Sequence, residues 1–322
     1  MSEDFFKNFS DYKDVSKVKT KSGLSNVGYS VVIPTLLKDE DVLLKLLSTL
    51  LLDDGVYEIL LINNSKKKFN FTPKFLDSIS EQEKENFINK ISEKNSVLRV
   101  INMPENIYVN PAWNLGVKLA SSRYIAIFND DMLVPFGYVS AVYSKVKEHE
   151  NKAKYDRTIK PLGIIGVNIK NICNTDVQNF TYYPTMSSLT FEPLANIISL
   201  YHYAIALFVT KENYFEIPYD LKVVCGDNYI LMKAKEAGYE NIAVDGANFL
   251  HLRSLSSRHF SDLDNEDNYI YATKYHKDYY NYIHSVHYRT PFQRIFSIKR
   301  VGWHDDRKRI LTCLGLRFNL DK

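Results

Sequence analysis

One stretch of this 322-residue chain, SSRYIAIFNDDMLVP over Ser121 to Pro135, joins a buried-looking segment directly to a pair of acids. Its apolar run, Tyr124 to Phe128, is short and rich in Ile and aromatics, which fits a buried parallel strand. Asn129-Asp130-Asp131 would then stand at the carboxyl end of a sheet, where open α/β folds bind ligands. Carboxylates are the usual protein ligands of Mg²⁺ and Mn²⁺, and such ions are often shared with substrate phosphates. Taken alone, the same residues also read as a loop with two solvated acids. Side chains alternate along an extended segment, so Asn129 and Asp131 face one way and Asp130 the other.

The elements that must carry this stretch alternate between strand and helix. Tyr29 to Ile33 reads as a strand stopped by Pro34-Thr35. Asp39 to Leu52 reads as a helix, with Val42, Leu43, Leu46, Leu47, Leu50 and Leu51 at helical spacing and Asp39 as its N-terminal cap. Tyr57 to Ile62 is the next buried strand, closed by Asn63-Asn64-Ser65. Such alternation implies a parallel sheet with right-handed crossovers. Lys66 to Asn95 is charged, with helix expected in its second half. Val97 to Ile101 is a third strand. Val109 to Ala120 is a helix that tolerates Pro111 in its first turn, and Arg123 to Phe128 is the fourth strand.

Beyond the acids, Phe136 to His149 reads as helix and Leu162 to Asn168 as strand. Residues 170–200, rich in Asn, Thr, Tyr and Pro, read as an irregular insertion. Tyr203 to Val209 is a strand, and Gly226 to Ala237 a helix stopped at Gly238. Ile242 to Val244 and Ala247 to Leu250 are short strands before His251, and Glu266 to Tyr282 is a Tyr-rich helix.

Composition bounds the class. With 45% hydrophobic and 25% charged residues the chain can bury a sizeable core and is not disordered by composition. Cys173, Cys225 and Cys313 form no CxxC pair, which argues against a structural zinc site or a disulfide framework and suits a reducing compartment. The polar, acidic start is unlike a signal peptide, and Val42 to Leu52 is too short to span a bilayer. Net charge is +3, yet residues 289–322 hold nine Lys/Arg against three acids, +6 there and −3 elsewhere. A basic end on a slightly acidic body reads either as a surface for anionic lipid or as a solvated tail.

Read together, YSVVIPT, EILLINNS and ENIYVNPAWNLGVKLASSRYIAIFNDD resemble glycosyltransferase family two, the inverting GT-A nucleotide-sugar transferases, over roughly residues 28 to 255. The resemblance implies a Rossmann-like, mostly parallel sheet flanked by helices, with a lead-in over 1–27 and a GT-A domain over 28–258. That domain divides into a donor half, 28–135, and an acceptor half, 136–258. A Tyr-rich helical and basic extension follows over 259–322. It also implies a nucleotide-diphosphate sugar bound across the strand ends with Mn²⁺ or Mg²⁺ at the DXD motif, whose place Asn129-Asp130-Asp131 occupies.

On that resemblance Asp131 is the metal ligand and His251 closes the metal site. Pro34, Thr35, Asn63, Ser65, Asn106, Asn114, Asn129, Asp130 and Arg253 form the donor site. Asn129 stands where the pattern has its first Asp, and Asn63 where it has an Asp for the base. Asp227, in Cys225-Gly226-Asp227-Asn228, falls on the catalytic base, with Gly226 replacing the usual Glu. Each has a plainer reading. Asn63-Asn64-Ser65 can be a tight turn, Asn106, Asn114 and Gly116 a helix entry and close helix–strand contact, Asp227 an acid favoured at a helix N-terminus, His251 a core histidine, and Arg253 and Arg258 surface cations.

The function implied is inverting transfer from an NDP-sugar to a hydroxyl of a glycan or lipid-linked glycan in bacterial surface-polysaccharide or lipo-oligosaccharide synthesis. It would take place in the cytoplasm, with peripheral contact to anionic membrane through 289–322 and no nucleic-acid partner. A sugar nucleotidyltransferase would carry a Gly-rich phosphate loop after the first strand, and Pro34-Thr35-Leu36-Leu37-Lys38 is not one. A catalytically inactive nucleotide-sugar-binding protein is the other reading, supported by Asn63, Asn129 and Gly226.

Overall fold

A computed structural model describes residues 24–69, 98–174, 184–194, 203–252, 261–276, 296–301, 308–313 and 316–319. It divides into one compact unit up to Asn268 and a second from Tyr269 onward. The first unit opens with β1 (Ser25–Thr35), α1 (Glu40–Leu51), β2 (Val56–Asn63), β3 (Leu98–Asn102), α2 (Val109–Leu119) and β4 (Ser122–Phe128). The short β5 (Met132–Leu133), α3 (Tyr138–Tyr155), β6 (Leu162–Val167), β7 (Ile172–Asn174), β8 (Met186–Pro193) and β9 (Ala206–Thr210) follow. Then come α4 (Gly226–Glu236), β10 (Glu240–Ala247), β11 (Phe249–His251) and α5 (Ser261–Ile270), within which the division falls.

The main sheet has eight strands in the order β3-β2-β1-β4-β9-β6-β10-β8. β1, β2, β3 and β4 pair in parallel, as do β6 and β10, whereas β9 and β8 run against their neighbours. The apolar runs expected to be parallel strands are parallel strands, and their continuous hydrophobicity follows from helices covering both faces. Strand order reverses between β1 and β4: β2 lies on one side of β1 and β4 on the other. That is the topological switch point of an open α/β sheet. Asp39 caps α1 as read, its Oδ1 accepting from the Val42 N–H at 3.1 Å, and all six leucine and valine positions named for that helix are buried.

α2 lies close on β1 because Gly116 has no side chain: a Cβ there would come within 2.1 Å of Val32 Cγ1. α3 starts after Gly137, and its first free N–H groups are capped from another segment. Asp53, on the turn after α1, accepts from Val139 N at 2.8 Å and Ser140 N at 2.9 Å. At the opposite end of the sheet from the acids, Glu58 is buried and accepts from Ser30 Oγ, Arg99 Nη1 and Ser121 N. This single carboxylate ties β1, β2, β3 and the start of β4 together.

Three elements differ from the sequence reading. The expected irregular insertion contains β7 and β8, because Met186 to Pro193 completes the sheet edge by pairing antiparallel with β10. Tyr203–Ile205 is a 3-10 turn, not the start of β9. Among the described residues of the extension, helix is found in its first part. α5 begins at Ser261, with Asp262 and Asp264 in the first turn, and passes into a π turn over Tyr271–Tyr275. In the second unit, β12 (Phe296–Val301), β13 (Lys308–Cys313) and β14 (Leu316–Asn319) form an antiparallel meander. A tail that mixes basic with β-branched and aromatic residues pairs its backbone groups in a sheet as readily as in a helix. The helix expected within 66–95 and the region of Tyr279 and Tyr282 lie outside the described residues.

Candidate active site

The site assembles at the carboxyl ends of β1 and β4, on either side of the switch point. Thr35 is the last residue of β1, and its hydroxyl donates to Asp130 Oδ2 at 2.6 Å. The Thr35 hydroxyl oxygen in turn accepts from Leu37 N at 2.9 Å, which turns the chain sharply after β1. Asp130 is thereby tied to the end of β1. Burial and neighbouring Asp131 push its carboxyl up to about 7, against the pull of the Thr35 hydroxyl and the Leu36 N–H.

Asp130 and Asp131 lie in a turn and not in the extended segment expected from the sequence, and Asp131 has a different partner. β11 pairs antiparallel with β5, setting His251 opposite Met132, and Leu252 N donates to Asp131 O at 2.8 Å. The result is a buried contact of 3.2 Å between His251 Nε2 and Asp131 Oδ1. The two residues named as metal ligands from sequence, 120 positions apart, are therefore neighbours. Among the described residues no cluster of three His, Cys, Asp or Glu side chains is assembled. Asn129 is half-buried, its N–H donates to Ile205 O, and its side chain makes no hydrogen bond among the described residues.

Other expected donor-site residues make hydrogen bonds within the fold. Asn63 is fully buried. Its Oδ1 accepts from Ser65 N at 2.9 Å, and its Nδ2 donates to Lys67 O and Asn102 Oδ1, both at 2.7 Å. Ser65 Oγ accepts from Lys67 N, so this segment is the tight turn of its plainer reading. Both amide protons of Asn63 are spent inside the protein. Asn114 clasps a single distant segment: Nδ2 donates to Ile217 O at 2.8 Å, and Oδ1 accepts from Ile217 N and the Tyr214 hydroxyl. Asn106 Oδ1 accepts from Tyr108 N, shaping the entry to α2. Pro34 is buried within β1. Arg253 and Arg258 lie outside the described residues.

Asp227 sits in the first turn of α4, half-buried, with Oδ1 accepting from Asn228 N at 2.9 Å. Burial raises its pKa above the ordinary carboxylate range, against hydrogen bonds from the Asn228 and Asp227 N–H groups. A run of hydrogen bonds and short stretches of chain connects its loop to the strand ends. From Asp130 the run passes to Thr35, whose carbonyl accepts from Asn64 N at 2.8 Å. Asn64 then contacts Ile107 N and Tyr108 O at the entry to α2. Asn110, in the first turn of α2, donates from its backbone N to Lys222 O and from Nδ2 to Val224 O, both at 3.0 Å. Three residues later stands Asp227.

Asn110 also accounts for Gly226. A Cβ at Gly226 would lie 2.2 Å from Asn110 Oδ1, so the helix starts pack too closely for a side chain there. Leu37, Tyr108 and Cys225 have positive φ of 53°, 69° and 62°, and each lies on one of the connected loops. Strained non-glycine backbone of this kind is held by its surroundings and concentrates at functional sites.

Sequence reading missed Asn64, Asn110 and Asp267. Asp267, on α5, is 1% exposed and accepts from Lys222 N, Val223 N and Val224 N. Burial raises its pKa despite those bonds and nearby Lys222. Asp264, one turn earlier, is pushed up to about 6 by burial and by Asp267. NxxxN from Asn110 to Asn114 was visible as a helical pair; nothing local marks Asp267.

Residues 30–191 match the family described as glycosyl transferase family 2. The chain belongs to this family. Its fold is GT-A, and the family sets glycosyl transfer as the class of reaction. Among solved structures, S. aureus TarS 1–349 in complex with UDP is 16% identical with a TM-score of 0.46, covering 79% of this chain and 68% of that one. Full-length S. aureus TarS is 15% identical with a TM-score of 0.45, over 79% of this chain and 41% of that one. GalNAc-T7 with UDP, GalNAc and Mn²⁺ is 14% identical with a TM-score of 0.47, over 92% and 68%. No curated protein matches. Among the described residues of the glycosyltransferase no helix is long and apolar enough to cross a membrane.

Proposed function

We propose that this glycosyltransferase moves a sugar, with inversion, from a nucleotide-diphosphate sugar to a hydroxyl of a glycan or lipid-linked glycan. The observation that carries the reading is the run of hydrogen bonds and short stretches of chain from Asp130 through Thr35, Asn64 and the entry to α2 at Asn110 to the loop before Asp227. It links the strand-end turn that carries Asp130, next to the Asp131–His251 pair, to the loop before a carboxylate of raised pKa on a separate helix. As the acceptor hydroxyl attacks C1, its proton passes to the Asp227 carboxylate. The new O–C1 bond forms opposite the breaking C1–O bond to the diphosphate, which leaves with that electron pair.

Asp131 and His251 offer one carboxylate oxygen and one imidazole nitrogen, a donor pair that fits Mn²⁺ or Mg²⁺ with the remaining positions left to phosphate and water. Such an ion, when bound, offsets charge on the departing diphosphate. In this reading Asn129, whose amide makes no hydrogen bond among the described residues, binds the donor's ribose, and Thr35 holds Asp130 back from competing with Asp131. Asn63 contributes by shaping the turn. The basic residues of 289–322 support a membrane-proximal acceptor, in keeping with bacterial surface-polysaccharide or lipo-oligosaccharide synthesis at the cytoplasmic face.

The test is turnover of a panel of uridine, thymidine and guanosine diphosphate sugars with Mn²⁺ or Mg²⁺, by transfer or slow hydrolysis. Asp227→Asn is expected to lose about 10²–10⁴-fold in rate, the ordinary range for a general base, and Asp131→Ala to lose metal-stimulated turnover. Wild-type rates in both variants would end the mechanism. Nucleotide binding without turnover of any donor would favour the inactive binding protein. The base works only when ionised, so the rate should fall as pH drops through the raised pKa of Asp227. That acidic limb should lie above the range of a free carboxylate and be absent from the residual rate of Asp227→Asn.

A further inference from the structure

We infer that Asp267, on α5, is a positioning residue for the reaction: its carboxylate gathers three successive N–H groups of the 222–224 loop and so sets where Asp227 stands. The inference rests on Asp227 being the base. Lys222 N reaches both Asp267 oxygens at 3.0 Å, Val223 N reaches Oδ2 at 2.6 Å and Val224 N reaches the same oxygen at 2.9 Å. Successive backbone N–H groups converging in this way form an anion-binding nest. Here the anion is a side chain of the protein, 1% exposed, brought from 43 residues beyond Val224.

The loop's other side is held by Asn110, which takes the carbonyls of Lys222 and Val224. A loop gripped on three N–H groups by one side chain, and on two C=O groups by the backbone N–H and the side chain of Asn110, has little freedom left. The next residue, Cys225, is forced to φ 62° and ψ 1°, and its Sγ contacts Asn268 Oδ1 at 3.4 Å, again on α5. Gly226 and Asp227 follow at once, so an error in the loop passes directly into the base. A displacement of about 1 Å at a reacting group can cost on the order of 10²-fold in rate. Asp267 itself touches no reacting atom.

The experiment is a double-mutant cycle on the full chain with Asp267→Asn and Asp227→Asn. The readout is kcat and KM on whichever panel donor the wild type turns over, with hydrogen exchange of the 222–225 amides. Asp267→Asn leaves one oxygen to accept at the Oδ2 place but removes the negative charge and turns an NH₂ toward Lys222 N, so the nest is weakened while the residue's size is unchanged. Expected are a fall of about 10²-fold in kcat with donor KM within about threefold, faster exchange at 222–224, and no further fall when Asp267→Asn is added to Asp227→Asn. Asp267→Glu should recover part of the rate.

A kcat within about threefold of wild type, unchanged exchange at 222–224, or an equal loss in the Asp227→Asn background would each overturn the inference. If Asp267→Asn does not fold, Asn110→Ala probes the opposite side of the same loop without leaving a buried charge. It should show the same kcat loss that vanishes with Asp227→Asn, and retention of kcat would count against the inference. Wild-type turnover by Asp227→Asn would instead sink the reading of the base. A loss in Asp227→Asn alone, with Asp267→Asn unaffected, would sink only the role of Asp267.

Discussion

The strand ends that hold Thr35 and Asp131 and the loop that holds Asp227 are kept in place by different means. Thr35 and Asn129 to Asp131 stand where they do because β1 and β4 are adjacent parallel strands in fixed register, with the Thr35–Asp130 bond closing the gap. A one-residue slip there would turn a whole buried face to the other side, so the register is strongly set. The 222–227 loop has no such frame. Its place depends on side chains from α2 and α5, and its backbone is strained at Cys225. The strand side should therefore lose stability when broken, and the loop side should lose rate.

The largest expected effect on stability is at Glu58, which locks four strands far from the site. Glu58→Ala removes the partner of a largely buried Arg99, and breaking such a pair costs about 3–5 kcal/mol. Urea unfolding should show that loss, while the folded fraction keeps wild-type kcat. A fall in kcat at unchanged stability would contradict the division between the two regions. Gly226→Ala is the converse case. The added methyl meets Asn110 Oδ1 and forces its amide off Val224 O. Overpacking of this kind costs about 1–3 kcal/mol, and kcat should fall by more than the stability change would suggest, with donor binding intact. Equal losses in rate and donor affinity would mean that the loop is no more delicate than the strands.

The same division explains what could be read in the sequence. β1, α1, β2, β3, α2 and β4 were legible because their signals are local: continuous apolar runs, helical spacing of leucines, an aspartate cap and proline in a first turn. Asp131 and His251 could be named because a family pattern places them at strand ends, and register then brings them together. Asn63 and Asn114 looked alike as polar residues at helix and strand ends. Which atoms are already committed is decided by partners such as Asn102 and Ile217, and one sequence does not announce those pairings. Gly226 was read as a lost glutamate; its cause is the proximity of Asn110, more than a hundred residues earlier. β8 was missed because an edge strand paired on one side needs no strong apolar run.

Asn114 offers the finest probe, because it belongs to neither region alone. It stands on α2, beside the strand ends, and its amide holds Ile217 by both backbone groups and the Tyr214 hydroxyl, on the segment that leads toward the 222–227 loop. Asn114→Ala leaves the Ile217 N–H and C=O buried without those partners, a penalty of about 1–3 kcal/mol for each group left unsatisfied. Its effect on rate should be small, because Asp267 and Asn110 still grip the loop nearer Asp227. Thermal unfolding and initial rates measured on the same preparation would check this. Lower stability with kcat within about threefold is expected, since a factor of three is only ~0.65 kcal/mol in the barrier. A tenfold or greater fall in kcat would show that the position of Asp227 is set from Ile217 onward, and that the grip at 222–224 is only the last part of a longer restraint.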